Sequence, residues 1–215
     1  MGLLTATRER RVVHKVAVLG KAGAGKSALI ATLQKRTVSE KYTETMGIQV
    51  VDVEGPVAYD GSGNELGTTT FRMWEVGSRY GTTFGYMNPE AVKDCAAAIV
   101  VFSFTDKASF QQVPSLLARC ESNGIPCLLV GTKADDPAAG AVTAVELNMF
   151  CNERDVPSMI VDCFPQTSAK KPSSLSAERR PDPPQPKFVP QMLKKLAGMT
   201  DVVSSADTGT ARMVR

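Results

Sequence analysis

The sequence predicts a doubly wound α/β domain: a mostly parallel six-stranded sheet with helices on both faces and an extended hairpin between its second and third strands. Three observations carry that prediction. An apolar run at residues 12–19 enters the glycine-rich stretch Gly20-Lys21-Ala22-Gly23-Ala24-Gly25-Lys26-Ser27, and a periodic segment at residues 28–34 leaves it, in the order strand, loop, helix. Near-continuous apolar runs at residues 96–104 and 126–131 suit central strands covered on both faces. Between and after them, strand-like and helix-like segments alternate, which spells βαβ units.

Taken in order, residues 1–11 are basic (Arg8, Arg10, Arg11) and without periodicity, so they read as a mobile arm before the domain. The first strand then runs into a loop that matches the pattern G-x-x-x-x-G-K-[ST]. Its glycines let successive N–H groups turn inward on phosphate oxygens, and the following helix aims its N-terminal dipole at the same charge. Ala22, Gly23, Ala24, Gly25, Lys26, Ser27 and Ala28 are therefore candidate nucleotide-binding residues. Lys26 is expected to reach the β- and γ-phosphates, and the Ser27 hydroxyl to ligate Mg²⁺.

Residues 35–45 are polar, bury little and suit a ligand-sensing loop. Residues 46–53, with Val50, Val51 and Val53, read as a strand that turn signals at Gly55-Pro56 and residues 60–64 bring to an end. A return strand through residues 68–74 completes the hairpin. Residues 77–88 form a second loop, with a short helix near residues 89–93. After the buried strand at 96–104, Phe110, Val113, Leu116, Leu117 and Cys120 mark one face of a helix over residues 108–121. Residues 126–131 form the next strand, 143–155 a helix and 158–163 the last strand. Residues 171–186, with Pro181, Pro183, Pro184 and Pro186, read as an inserted Pro-rich loop. Phe188, Met192, Leu193, Leu196 and Met199 then line one face of a final helix, so the domain spans residues 12–200 and residues 201–215 are expected to be a disordered tail.

Composition bounds what such a domain does. With 215 residues, 43% hydrophobic and 22% charged, one globular domain with a real core is expected. A net charge of +3 is too small to argue for nucleic acid. Five cysteines without C-x-x-C spacing read as buried thiols of a reducing compartment and not as a zinc site. No apolar run approaches the ~18–20 residues of a membrane span. Ala6 breaks the myristoylation pattern after Gly2, and the last residues hold no prenylatable cysteine, so a cytoplasmic, monomeric protein that meets membranes only through partners is expected.

The loop alone does not choose between ATP and GTP. Thr132-Lys133-Ala134-Asp135 lies at the carboxyl end of a buried strand, where open α/β sheets place ligands. There the Asp135 carboxylate can accept from the N1–H and 2-amino groups of guanine, a donor pair that adenine lacks, while the Lys133 stem packs over the base. Ser168-Ala169-Lys170, after the last strand, would offer a backbone N–H to the guanine carbonyl. With these residues in this order, the chain resembles a small GTPase of the Ras superfamily, with a P-loop G domain over roughly residues 12–200.

The resemblance implies further roles. The family's magnesium-binding threonine lies eighteen residues beyond the loop serine, which lands on Thr45. The family's Asp-x-x-Gly-Gln, which binds the metal through water, senses the γ-phosphate and orients the attacking water, corresponds here to Trp74-Glu75-Val76-Gly77-Ser78. Glu replaces Asp, one residue is missing before the glycine, and Ser replaces Gln. The implied metal ligands are thus Ser27, Thr45 and Glu75, and the implied catalytic residues Thr45, Gly77 and Ser78, with slow hydrolysis. Thr45-Met46-Gly47 and residues 102–110 are similar to Rab proteins, and the departures resemble the divergent Rem- and Rab-like branch of the ciliogenesis and planar polarity effector (CPLANE) complex. That branch implies a GTP/GDP switch at the ciliary base or basal body, acting with Fuzzy, Inturned and WD-repeat subunits in cilium assembly, vesicle trafficking and protein transport. The alternative is a pseudo-GTPase docking subunit that holds GTP without turnover. A P-loop kinase is disfavoured, since the guanine motifs would then have no role.

Overall fold

The computed structural model describes residues 11–39, 41–59, 64–77, 92–134, 141–163 and 188–210. Six strands, β1 (Arg11–Leu19), β2 (Ile48–Tyr59), β3 (Glu65–Val76), β4 (Ala97–Ser103), β5 (Cys127–Thr132) and β6 (Ser158–Val161), form one sheet in the order β2-β3-β1-β4-β5-β6. Only the β2–β3 pairing is antiparallel; β3–β1, β1–β4, β4–β5 and β5–β6 are parallel. The described helices are α1 (Lys26–Leu33), α2 (Lys107–Gln111), α3 (Val113–Ser122), α4 (Ala144–Arg154) and α5 (Phe188–Thr210). This is the predicted fold.

The two-residue period of a strand divides the core. On β1, Val16 and Val18 face one cluster with Leu29, Ile30, Phe71, Met73, Met192 and Leu196, so α1 and α5 cover that face. Ala17 and Leu19 face the other, with Phe102, Leu117 and Leu147, so α2 to α4 cover the second. All seven residues of β4 are buried, as its unbroken apolar run requires.

Several boundaries differ from expectation, each for a local reason. Strand β2 does not stop at Gly55-Pro56 but continues to Tyr59, with a register shift between Glu54 and Val57. β2 is at the edge of the sheet, where an irregularity tolerates a proline that donates no ladder bond. Gly55 keeps the crossing close, because a Cβ there would stand 2.5 Å from the Phe71 ring. The single helix expected over residues 108–121 is two, α2 and α3, parted at Gln112. Pro114 has no N–H for the Phe110 carbonyl, so the ladder breaks there. The last helix runs to Thr210 instead of ending near residue 200, with no proline after Pro190 to stop it. The arm at residues 1–10, the short helix expected near 89–93 up to residue 91, the insertion at 171–186 and the tail beyond 210 lie outside the described residues.

Candidate functional site

The glycine-rich loop is shaped by close approaches. Gly20 follows β1 with φ 145°, and a Cβ on it would lie 2.2 Å from the Val101 carbonyl oxygen of β4. Gly25, at φ 94°, turns the chain into α1 in the left-handed region and lies against Thr132, whose Oγ1 would be 3.0 Å from a Cβ. Gly25 is the N-cap of α1, and among the described residues no side chain bonds the first helical N–H groups. The Ala24 carbonyl accepts from Thr132 Oγ1 at 2.7 Å, which fastens the loop to the end of β5.

Lys26 begins α1 and is only 5% exposed. Its Nζ donates to the carbonyls of Gly20 at 2.8 Å and Lys21 at 3.0 Å, across the mouth of the loop. Burial lowers its pKa, and the nearby carboxylates of Glu75 and Glu44 oppose that shift. The loop thus concentrates a desolvated cation and a helix N-terminus at one point, an arrangement whose charge suits an anion.

Beside it three oxygens meet. Glu75 Oε1 accepts from Ser27 Oγ at 2.6 Å and from Thr45 Oγ1 at 3.0 Å, while the two hydroxyl oxygens are 3.1 Å apart. Glu75 is 2% exposed. Alternation along β3 decides which residue enters the site: Met73 and Glu75 share the α1 face, whereas Val76 packs on the opposite one. The missing residue of the motif therefore lies between Glu75 and Gly77. The Gly77 N–H donates to the Gly47 carbonyl at 2.8 Å, joining the segment that carries Thr45 to the end of β3. Two hydroxyls and one carboxylate make an all-oxygen donor set of the kind a hard cation such as Mg²⁺ takes. No cluster of three His, Cys, Asp or Glu exists among the described residues.

Lys133 follows β5 with φ 57°, and its Nζ reaches back to the Gly23 carbonyl at 2.9 Å. The loop, the Thr45 segment, Glu75, Gly77 and Lys133 line one cavity of about 450 Å³, within the ~300–1,000 Å³ range of small-molecule sites. Of the residues singled out in sequence, Ala22, Gly23, Gly25, Lys26, Ser27, Ala28, Thr45, Glu75, Gly77 and Lys133 line it. Ala24 and Thr132 support it from behind through their hydrogen bond. Ser78, Asp135, Ser168, Ala169 and Lys170 lie outside the described residues.

Other contributors were not singled out one by one in the sequence. Arg36, Lys41 and Tyr42 line the cavity from the polar segment. Lys21 Nζ pairs with Asp106 Oδ2 at 2.9 Å, and this bond is the first cause of a lowered Asp106 pKa. Asp106 also caps α2 through the Ala108 N–H, so the loop is braced against that helix. An 85-residue separation leaves no local signal for such a pair.

Comparison with known proteins agrees with this geometry. The chain matches the Ras family over residues 15–177. It is 33% identical over 150 residues to ciliogenesis and planar polarity effector 2 of Xenopus laevis, covering 69% of this chain and 60% of that protein. It is 32% identical over 154 residues to the Homo sapiens protein of the same name, covering 71% of this chain and 59% of that one. To the Ras-related protein RABF2a of Arabidopsis thaliana it is 26% identical over 175 residues, 80% of each. The match thus spans about three fifths of the length of the effector relatives.

Proposed function

We propose, for a chain that belongs to the Ras family, that it is a Mg²⁺-dependent guanine-nucleotide switch, binding GTP and GDP and hydrolysing GTP slowly. The observation that carries this reading is the meeting of Ser27, Thr45 and Glu75 oxygens beside the buried Lys26 ammonium, in a cavity that also receives Lys133. Lys26 and the loop N–H groups would bind the β- and γ-phosphates and offset their charge. Ser27, Thr45 and Glu75 would hold the metal, which when bound neutralises charge developing on the phosphate oxygens. Asp135 would read guanine, with Lys133 over the base and Ser168 to Lys170 at its carbonyl.

Hydrolysis requires a positioned water, and Ser78 stands where the family places Gln. A hydroxyl that short cannot span the same distance, so the GTP form should be long-lived unless a partner supplies catalytic groups. The names of the effector relatives support a role in cilium assembly. The resemblance to that branch extends the role to targeted vesicle traffic at the ciliary base, alongside Fuzzy, Inturned and WD-repeat subunits. A second reading, a docking subunit that holds GTP without turnover, is favoured by the replaced glutamine alone.

The test is the nucleotide released on denaturing the purified protein, followed by single-turnover hydrolysis. Guanine nucleotide with slow turnover is expected. ATP in its place, or equal competition by ATP for labelled GTP, overturns the reading, and GTP with no turnover moves it to the docking subunit.

A further inference from the structure

We infer that Lys21 is a positioning residue for the phosphate site: its ion pair with Asp106 fixes the carbonyl that orients Lys26. The inference rests on the guanine-nucleotide reading above. Residue 21 is a variable position of the loop pattern, which assigns it no task. In the structure its backbone has two. The Lys21 carbonyl accepts from the Ala24 N–H at 3.2 Å, which closes the first turn of the loop, and from Lys26 Nζ at 3.0 Å. The direction of one carbonyl therefore governs both the curl of the loop and the place of the ammonium.

Three anchors hold this loop, and the Lys21 side chain is one of them. Gly20 sits against β4, where a Cβ would meet the Val101 carbonyl oxygen at 2.2 Å, and the Ala24 carbonyl is bound by Thr132 at the end of β5. Between those two, Lys21 Nζ reaches Asp106 Oδ2 at 2.9 Å. Asp106 is itself held in place. Its Oδ1 accepts from the Ala108 N–H at 3.0 Å, its own N–H donates to the Ser103 carbonyl at 3.2 Å, and its carbonyl accepts from Ser109 Oγ at 2.6 Å. Ser103 and Ser109 are both buried. The carboxylate thus divides its oxygens, one capping α2 and one holding Lys21. Both side chains of the pair are 35% exposed, and such a pair adds little to the stability of a fold. Its effect falls on the ligand, because a loop already held in its binding shape has less ordering to undergo when phosphate arrives.

The measurement is release of fluorescent GDP from the Mg²⁺-loaded chain into excess unlabelled GDP. Asp106→Asn is the decisive variant, since Asn still caps a helix but presents no charge to Lys21. Release about fivefold faster is expected for Asp106→Asn and for Lys21→Met, the upper end for an exposed pair. The double variant should be no faster than either, because both changes remove one interaction. Lys21→Arg keeps the charge and should stay near the wild-type rate. Lys107→Met is the control: it removes another exposed pair of the same segment, with Glu146, and should leave release unchanged. At about 1 M salt, where screening acts over ~3 Å, the gap between wild type and Asp106→Asn should shrink. Unchanged or slower release from Asp106→Asn overturns the inference, since Lys21 would then act through its own charge and not through the pair. Equal acceleration by Lys107→Met overturns it as well, by making the effect one of general loosening. Failure of the underlying reading is seen separately: the wild type then retains no fluorescent GDP.

Discussion

Gly77 and Thr45 leave no space between them: a Cβ on Gly77 would lie 2.2 Å from the Thr45 carbonyl oxygen. The Gly77 N–H meanwhile donates to Gly47 at 2.8 Å. Thr45 is therefore held at the site by its hydroxyl on Glu75 and by backbone packing on Gly77. Gly77→Ala forces one of the two backbones aside, at about 1–3 kcal/mol for overpacking a tight contact. We expect amide exchange over residues 43–47 to accelerate at least tenfold with nucleotide bound. Unchanged protection would show that the approach is not needed for closure.

Lys26 sets binding against stability. Its ammonium is buried, and desolvation is the first cause of its lowered pKa. Lys26→Met should weaken GTP binding by about 100-fold or more, since a phosphate-facing charge is lost. Without nucleotide the same variant should be more stable than wild type, because methionine removes the cost of burying the charge. A folded-state pKa below the ordinary lysine value of 10.5 means that the unfolded chain binds the proton more tightly, so wild-type stability rises with pH in the window just below 10.5. The advantage of Lys26→Met should therefore narrow as pH climbs into that window. Urea unfolding of both proteins at neutral and alkaline pH measures it, and a constant difference would refute it.

Asp135→Asn removes the carboxylate proposed to read guanine. A polar site built for one donor pattern rejects a base that leaves it unpaired, and a loss of about 100-fold in GTP affinity, ~3 kcal/mol, is expected. Xanthosine triphosphate should bind the variant better than it binds the wild type. Equal GTP affinity in the two proteins would remove Asp135 from the base site.

Ser78→Gln restores the length of a water-orienting side chain. Turnover should rise by about 10²-fold in single-turnover hydrolysis, or ~3 kcal/mol of barrier, with GTP affinity unchanged. If the wild type already turns over as fast as the variant, another group positions the water.

Local chemistry makes much of this protein legible in its amino-acid order. The loop from Gly20 to Ser27 can be read because left-handed glycines, a lysine and a hydroxyl at fixed spacing have one common use, and the left-handed φ of Gly25 follows that reading. The buried strands can be read because burial on both faces removes alternation, as all of β4 shows. Thr45 is legible only through a family spacing, since one threonine in a polar segment carries no pattern of its own.

What the sequence alone determined is therefore the order of strands and the glycine-rich turn between the first strand and helix, because strand period and glycine conformation act over a few residues. Tertiary structure alone decided which distant groups meet. Ser27 and Glu75 are 48 residues apart, and only the parallel pairing of β3 with β1 sets that carboxylate beside the start of α1. The same holds for Gly77 on Gly47 and for Lys21 on Asp106. The path of β2 through Pro56 likewise depended on its place at the sheet edge, which no single strand encodes. Contacts between separate strands and loops depend on sheet order and register, and a one-residue shift in a strand would have turned Trp74 into the site and Glu75 away from it.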